Sequence, residues 1–291
     1  MMLVFSDLHI DLENIQECIS IMNEIKSIIN DHKINELVTI GDIFDKHNPF
    51  NEEINTFCNF LKDINVKTYI VVAPSHESIT PENNIFKHFE LLNPNIKTYF
   101  KELILNDIYF GHFTVKESLK GFNETKSIYD FTNYRCILLG HQHTWQKITN
   151  NAYHIGSSRW VRFDEDHKIN KKVAIIYNDN IEFIDLKSPI KMLDVLYNSE
   201  NDLPSNSNLK VRLIFKSYSS LLNWLKVSNK YKNYFHTLKI KIDFENLEIS
   251  KLQETKKVES YVQELLNWVD KNNINEKIKN LIKEVIYGRK L

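Results

Sequence analysis

Glycine is the residue this chain does without: there are 6 in 291, with 6 prolines and only 3 cysteines. Cys18, Cys58 and Cys136 sit in apolar segments without metal-ligand spacing. That excludes a disulfide framework and a thiolate metal site, and predicts reduced core cysteines in a cytoplasmic protein. No run approaches the roughly 20 apolar residues that cross a bilayer, so no membrane span is expected. Nor does a charged leader precede the first motif at Asp7, where cleavage would remove functional residues. An excess of one charge is missing as well. With 37 basic and 38 acidic residues the net charge is -1, which excludes a polybasic wrapper of nucleic acid but leaves room for a local basic surface on a phosphate backbone.

What is present is enough for a core. Hydrophobic residues make up 42% and aromatics 12%, so disorder is not the default. The length predicts one large domain plus a smaller one.

Histidines and aspartates recur at strand ends. Asp7-Leu8-His9, Gly41-Asp42, His76, Gly111-His112 and Gly140-His141-Gln142-His143 each follow a short apolar run. The runs are Leu3-Val4-Phe5, Leu37-Val38-Thr39-Ile40, Tyr69-Ile70-Val71-Val72, Ile108-Tyr109-Phe110 and Ile137-Leu138-Leu139. Such β-branched and aromatic runs ending at a breaker read as buried strands. Parallel strands present their carboxyl ends as one rim, so these residues can converge though distant in sequence. Two carboxylates and several imidazoles on one rim describe a metal site, and a two-metal one. Gly41, Gly111 and Gly140 each precede a proposed ligand, where the missing Cβ permits a sharp turn.

Three regions follow from the patterning. Residues 1–188 alternate strands with helical segments, over 14–29 and 52–61, and become strand-rich after His143. The beginning is βαβαβ with parallel strands and the end antiparallel, so an α/β fold of two facing sheets with helices outside is expected. Residues 189–250 form a small α+β module, and a polar stretch at 198–208 reads as a linker ahead of its alternating strands. In it Leu209, Val211, Leu213 and Phe215 alternate with Lys210, Arg212 and Lys216, predicting an apolar face and a lysine-studded one, with a helix near 218–226 between the strands. Residues 251–291 carry two helical stripes, Val258 to Val269 and Ile274 to Val285. They either pack on the body or dock another protein.

The motifs, in that order, resemble those of the calcineurin-like metallophosphoesterases over residues 1–188. Gly41-Asp42-Ile43-Phe44-Asp45 and Ile155-Gly156-Ser157, leading into Arg159-Trp160-Val161-Arg162-Phe163-Asp164-Glu165, resemble the SbcCD-type DNA repair nucleases, including phage-encoded ones. The Asp-Arg-Gly typical of protein serine/threonine phosphatases is absent. The resemblance implies an αββα sandwich with a capping α+β domain. It implies hydrolysis of DNA phosphodiesters by a metal-bound hydroxide, in the cytoplasm of a bacterium or a phage-infected cell. It implies a homodimer, and a coiled-coil ABC-type ATPase partner bound through the C-terminal helices.

Site roles also follow from the resemblance. Asp7, His9 and His143 would hold one metal, His112 and His141 a second, with Asp42 bridging. His76 would act at the scissile phosphate, with Asp45 orienting it. Oxygen and imidazole ligands without thiolate suit two Mn2+ ions, with iron or zinc as alternatives. One position departs from the family: its Gly-Asn-His, whose Asn is a ligand, is here Pro74-Ser75-His76, so Ser75 brings a shorter hydroxyl. Lys46, His47, Arg159 and Arg162 are candidate phosphate contacts. His154 lies near the site in sequence, whereas His32, His88, His167 and His236 follow no pattern and read as surface or packing residues. Two rival readings remain, a small-molecule phosphodiesterase or phosphatase, and a catalytically weakened scaffold subunit of the same complex.

Overall fold

The computed structural model describes residues 1–73, 85–119, 124–178 and 180–243. Its first half runs β1 (Met2–Ser6), α1 (Ile15–Asp31), β2 (Glu36–Ile40), α2 (Asn51–Ile64), β3 (Lys67–Val72), α3 (Phe86–Leu92) and β4 (Ile96–Phe100). Next come β5 (Glu102–Leu105), β6 (Ile108–Gly111), β7 (Cys136–Leu139), β8 (Gln146–Lys147), β9 (Ala152–His154), β10 (Lys172–Tyr177) and β11 (Asn180–Asp185). The last described elements are β12 (Met192–Leu196), β13 (Lys210–Phe215), α4 (Tyr218–Tyr231) and β14 (Thr237–Ile242).

The first sheet has the order β11-β10-β1-β2-β3-β4. Strands β1 to β4 are parallel, and β10 and β11 join antiparallel, as the sequence pattern predicts. The second sheet, β5-β6-β7-β9-β8, has a parallel centre and antiparallel edges. The two sheets face each other. Alternate residues of β1 go to opposite layers, as the two-residue strand period requires. Val4 packs with Val38, Val71, Phe110, Leu138 and Ile155 between the sheets. Leu3 and Phe5 pack outward against Cys18, Ile21, Ile25, Phe57 and Phe60 of α1 and α2. Outside the second sheet, Tyr109, Ile137 and Leu139 are covered by Val115, Ile128, Phe113 and Phe131 from the loop that precedes β7.

The third sheet, β12-β13-β14, is wholly parallel. Its apolar face, with Val211, Leu213 and Phe215, packs on Leu221, Trp224 and Leu225 of α4. The polar stretch 198–208 does not separate domains: it lies inside the crossover from β12 to β13, a connection that parallel strands need. The lysine-studded face is also only partly what alternation predicts. Lys210 is 2% exposed and paired with Glu17 of α1, so it fastens this sheet to the sandwich instead of facing solvent. The C-terminal stripes at 251–291 lie outside the described residues. No described helix is long and apolar enough to cross a membrane, and all three cysteines are free, with the Cys18 thiol pushed up to about 12 by burial.

Candidate metal centre

The turns after β1 and β2 continue side by side beyond the sheet. Asp7 N–H donates to Gly41 O at 3.1 Å, His9 N–H to Asp42 O at 2.9 Å and Ile10 N–H to Ile43 O at 2.8 Å. Zipped together, the turns present Asp7, His9 and Asp42 to one point. The backbone that achieves this is unusual. Asp7 (φ 51°), His9 (φ 48°), Asp42 (φ 48°) and His141 (φ 74°) all adopt the left-handed region, which is uncommon for side-chain-bearing residues and collects at functional sites.

Two trios of ligand atoms result: Asp7, His9 and His143, and Asp42, His112 and His141, each with its atoms within 4.8 Å of one another. The trios adjoin. Asp42 Oδ2 lies 3.3 Å from His112 Nε2 and 3.7 Å from His9 Nε2. Asp7 Oδ1 lies 3.7 Å from His143 Nε2 and 3.9 Å from both His9 Nε2 and His112 Nε2. Asp42 is thus placed between the two groups.

The donor set fits divalent cations. Asp7 Oδ1 and His112 Nε2 are buried, aimed at the centre and have no hydrogen-bond partner, although burying such atoms unsatisfied normally costs about 1–3 kcal/mol each. Burial opposes a charge on His112, yet the carboxylates of Asp7 and Asp42 prevail and push its pKa up to about 9. The field of the site therefore favours a cation. Oxygen and imidazole ligands with no thiolate suit manganese, iron or zinc.

Three of the four imidazoles are aimed by a partner on the other nitrogen, the usual arrangement for a metal-ligating histidine. His9 Nδ1 donates to Asp45 Oδ1 at 3.0 Å, and His112 Nδ1 donates to Ile40 O at 2.8 Å. His143 Nδ1 lies 3.4 Å from Glu165 Oε1. Glu165 is fixed in turn by the N–H groups of Val161 (2.9 Å) and Arg162 (2.6 Å) and by the Lys171 ammonium. Burial alone would raise its pKa, but His143 and Lys171 hold it down at about 2. Ser6 Oγ donates to Asp7 Oδ2, which also accepts from His141 N–H at 3.1 Å.

Two glycines are dictated by space. A Cβ on Gly41 (φ 67°) would stand 2.3 Å from His112 Nδ1, and one on Gly140 2.3 Å from Ser6 Oγ and 2.6 Å from Ile40 O. They clear room for the imidazole of His112 as well as turning the chain.

The six expected metal ligands come together. Asp45 braces His9; Ser75 and His76, which Asp45 is expected to orient, lie outside the described residues. Other expectations shift. Arg159 is not a phosphate contact: it is 2% exposed, and its guanidinium donates to Leu8 O at 2.9 Å and His9 O at 2.8 Å, supporting the ligand turn from below. Lys46 pairs with Glu53 at 3.1 Å and lies over the Phe50 ring, turned to α2. His47 is exposed and does not line the cleft. Arg162 does line it, with His9, Asp42, His141, His143 and Glu165 among the walls of a cavity of about 390 Å³. Ser6 is a site residue that motif reading misses, and for Glu165, which closes a motif, and the buried His154, near the site in sequence, it does not give the role that the structure shows.

No protein-family model and no curated protein matches the sequence. Among solved structures, the nuclease MPE of Pseudomonas putida is 12% identical over 50% of this chain and 62% of its own, with a TM-score of 0.33. This chain therefore spans about 62% of the length of that nuclease. The protein TT1561 of Thermus thermophilus is 11% identical over 63% of this chain and 97% of its own, with a TM-score of 0.40.

Proposed function

We propose that this chain is a metal-dependent phosphodiesterase of the calcineurin-like class, acting on DNA as the nuclease subunit of an SbcCD-like complex. The observation that carries the reading is the convergence of Asp7, His9 and His143 beside Asp42, His112 and His141, with Asp42 between them, on the floor of a cleft. Manganese is the proposed metal on the chemistry of these donors. When bound, two such ions polarise a phosphoryl oxygen and neutralise the charge that develops on it. The chain's own part is to hold the imidazoles rigid through Asp45, Glu165 and the Ile40 carbonyl, and to present Arg162 at the cleft wall for a neighbouring phosphate. His76, by its place in the motif order, holds the proton for the leaving oxygen. The helical stripes beyond residue 250 are the proposed dock for a coiled-coil ATPase, and two copies of the chain make the nuclease.

One sequence feature favours a second reading. Ser75 stands where related enzymes have a ligating Asn, which fits a weakened subunit that holds DNA and ATPase without cutting.

The test is degradation of end-labelled linear duplex DNA with Mn2+. Cleavage is expected in wild type, and loss of cleavage in Asp42→Asn, in His76→Ala and on adding EDTA. Hydrolysis of a generic small phosphodiester with DNA left intact would move the reading to a small-molecule enzyme. Inertness toward both, with Mn2+ bound, would support the scaffold.

A further inference from the structure

His154, on β9, is fully buried beside the metal centre and is not one of its ligands. Both ring nitrogens are engaged: Nε2 lies 2.7 Å from Ser118 Oγ and Nδ1 3.2 Å from Gly140 O. A carbonyl can only accept, so Nδ1 carries the proton and Nε2 accepts from the Ser118 hydroxyl. Ser118 Oγ in turn accepts from Val115 N–H at 2.9 Å. The donors therefore run one way, from Val115 through Ser118 and His154 to the Gly140 carbonyl.

That carbonyl belongs to the peptide that carries His141. The N–H of the same peptide donates to Asp7 Oδ2 at 3.1 Å, and His141 itself sits at φ 74°. The peptide is thus gripped at both ends, by His154 on its oxygen and by Asp7 on its nitrogen. We propose that His154, braced by Ser118, is a positioning residue that fixes the Gly140–His141 peptide and through it one ligand of each metal trio, His141 and Asp7. The inference rests on the metal-dependent reading above. A chain of donors ending on a backbone oxygen needs a neutral ring, and burial supplies it by pushing the His154 pKa down to about 4.

A histidine that merely fills space would tolerate an apolar side chain without loss of metal. The test is calorimetric titration of Mn2+ into metal-free full-length protein, as wild type, His154→Leu, His154→Asn and Ser118→Ala, with the melting temperature of each measured in EDTA. An asparagine amide nitrogen stands where Nδ1 stands and can donate to Gly140 O; leucine cannot. The expected result is a weakening of about 10–100-fold in His154→Leu, the size usual for losing a group that orients a ligand, with His154→Asn recovering most of the affinity. Leucine binding like wild type, asparagine falling as far as leucine, or affinity simply tracking melting temperature would each overturn the proposal. If His154→Leu does not fold, Ser118→Ala decides: weakened Mn2+ binding at an unchanged melting temperature upholds it, and unchanged binding sinks it. Wild-type protein that takes up no Mn2+ would overturn the proposed function itself, and this inference with it.

Discussion

Lys210 of β13 and Glu17 of α1 form a buried ion pair, Nζ to Oε2 2.5 Å, that ties the third sheet to the sandwich. Both ends have a further partner. Lys210 Nζ also donates to Asn14 Oδ1 at 2.7 Å, and Glu17 Oε1 accepts from Ile190 N–H at 2.8 Å. Arg159, which supports the Leu8 and His9 carbonyls, approaches the same carboxylate at 4.0 Å. One cluster thus joins the third sheet, the first helix and the ligand turn.

Removing one member should be expensive. Lys210→Met leaves the buried Glu17 with only Arg159, at 4.0 Å, as a counter-charge, and a loss of up to about 3–5 kcal/mol is expected for breaking such a pair. Adding Glu17→Gln should return a large part of it. Urea unfolding of the two single variants and the double measures the coupling, and a cost below about 1 kcal/mol for Lys210→Met would contradict the buried pair.

Gly41→Ala should damage the centre more than the fold. A left-handed residue with a Cβ costs about 1–2 kcal/mol, and this Cβ would also stand 2.3 Å from His112 Nδ1 and 2.6 Å from its Cγ. The His112 ring must move. Mn2+ binding is expected to fall sharply while the melting temperature in EDTA drops only modestly. Unchanged binding would show that His112 has room to shift without leaving the metal.

The carboxylates behind the imidazoles can be tested in parallel. Asp45→Asn and Glu165→Gln should each weaken Mn2+ binding by about 10–100-fold. Their stability costs should differ. The Asp45 side chain is 45% exposed, so its variant should melt like wild type. Glu165 is buried and paired with Lys171, and its variant leaves that ammonium without a counter-charge. Calorimetry beside thermal melting separates the two effects, and equal melting losses would refute the distinction.

Acid should destabilise the metal-free protein through His154. Its folded pKa of about 4 lies below the ordinary 6.5, so the fold favours the neutral ring. Stability is full above pH 6.5 and is lost as pH falls toward 4, by up to about 3 kcal/mol at about 1.4 kcal/mol per unit. Urea unfolding in EDTA at pH 7.5 and 4.5 should show a larger loss in wild type than in His154→Asn, which has no ring to protonate. Equal losses would count against the assignment.

The six candidate ligands are legible in the sequence because each follows an apolar strand and parallel strands share a rim. Their braces are not. Asp45 is visible as the last residue of the Gly41–Asp45 motif, with His76 as its expected partner, but its bond to His9 depends on the Ile10–Phe44 pairing of two turns. Glu165 and His154 reach the centre through contacts with His143 and Gly140 that only the folded sheets create. Arg159 looks like a surface cation because its acceptors are carbonyls more than a hundred residues away. The strand alternation in the third sheet is sound for Val211 and Leu213, yet Lys210 defies it because α1 supplies a buried carboxylate there. Strands β4 and β5 are partly exposed and interleave charged residues, so they lack the apolar run that reveals β1 to β3.

The left-handed backbone at Asp7, His9, Asp42 and His141 has a consequence for anyone wishing to transplant this centre. Copying the six side chains onto ordinary strand ends would reproduce the residue types and miss the geometry, since right-handed or extended backbone points the same Cβ atoms elsewhere. The portable unit is the pair of zipped turns, Gly41 included, together with the segments after β6 and β7 that carry His112, His141 and His143, so a successful graft would have to carry the loops first and the ligands second.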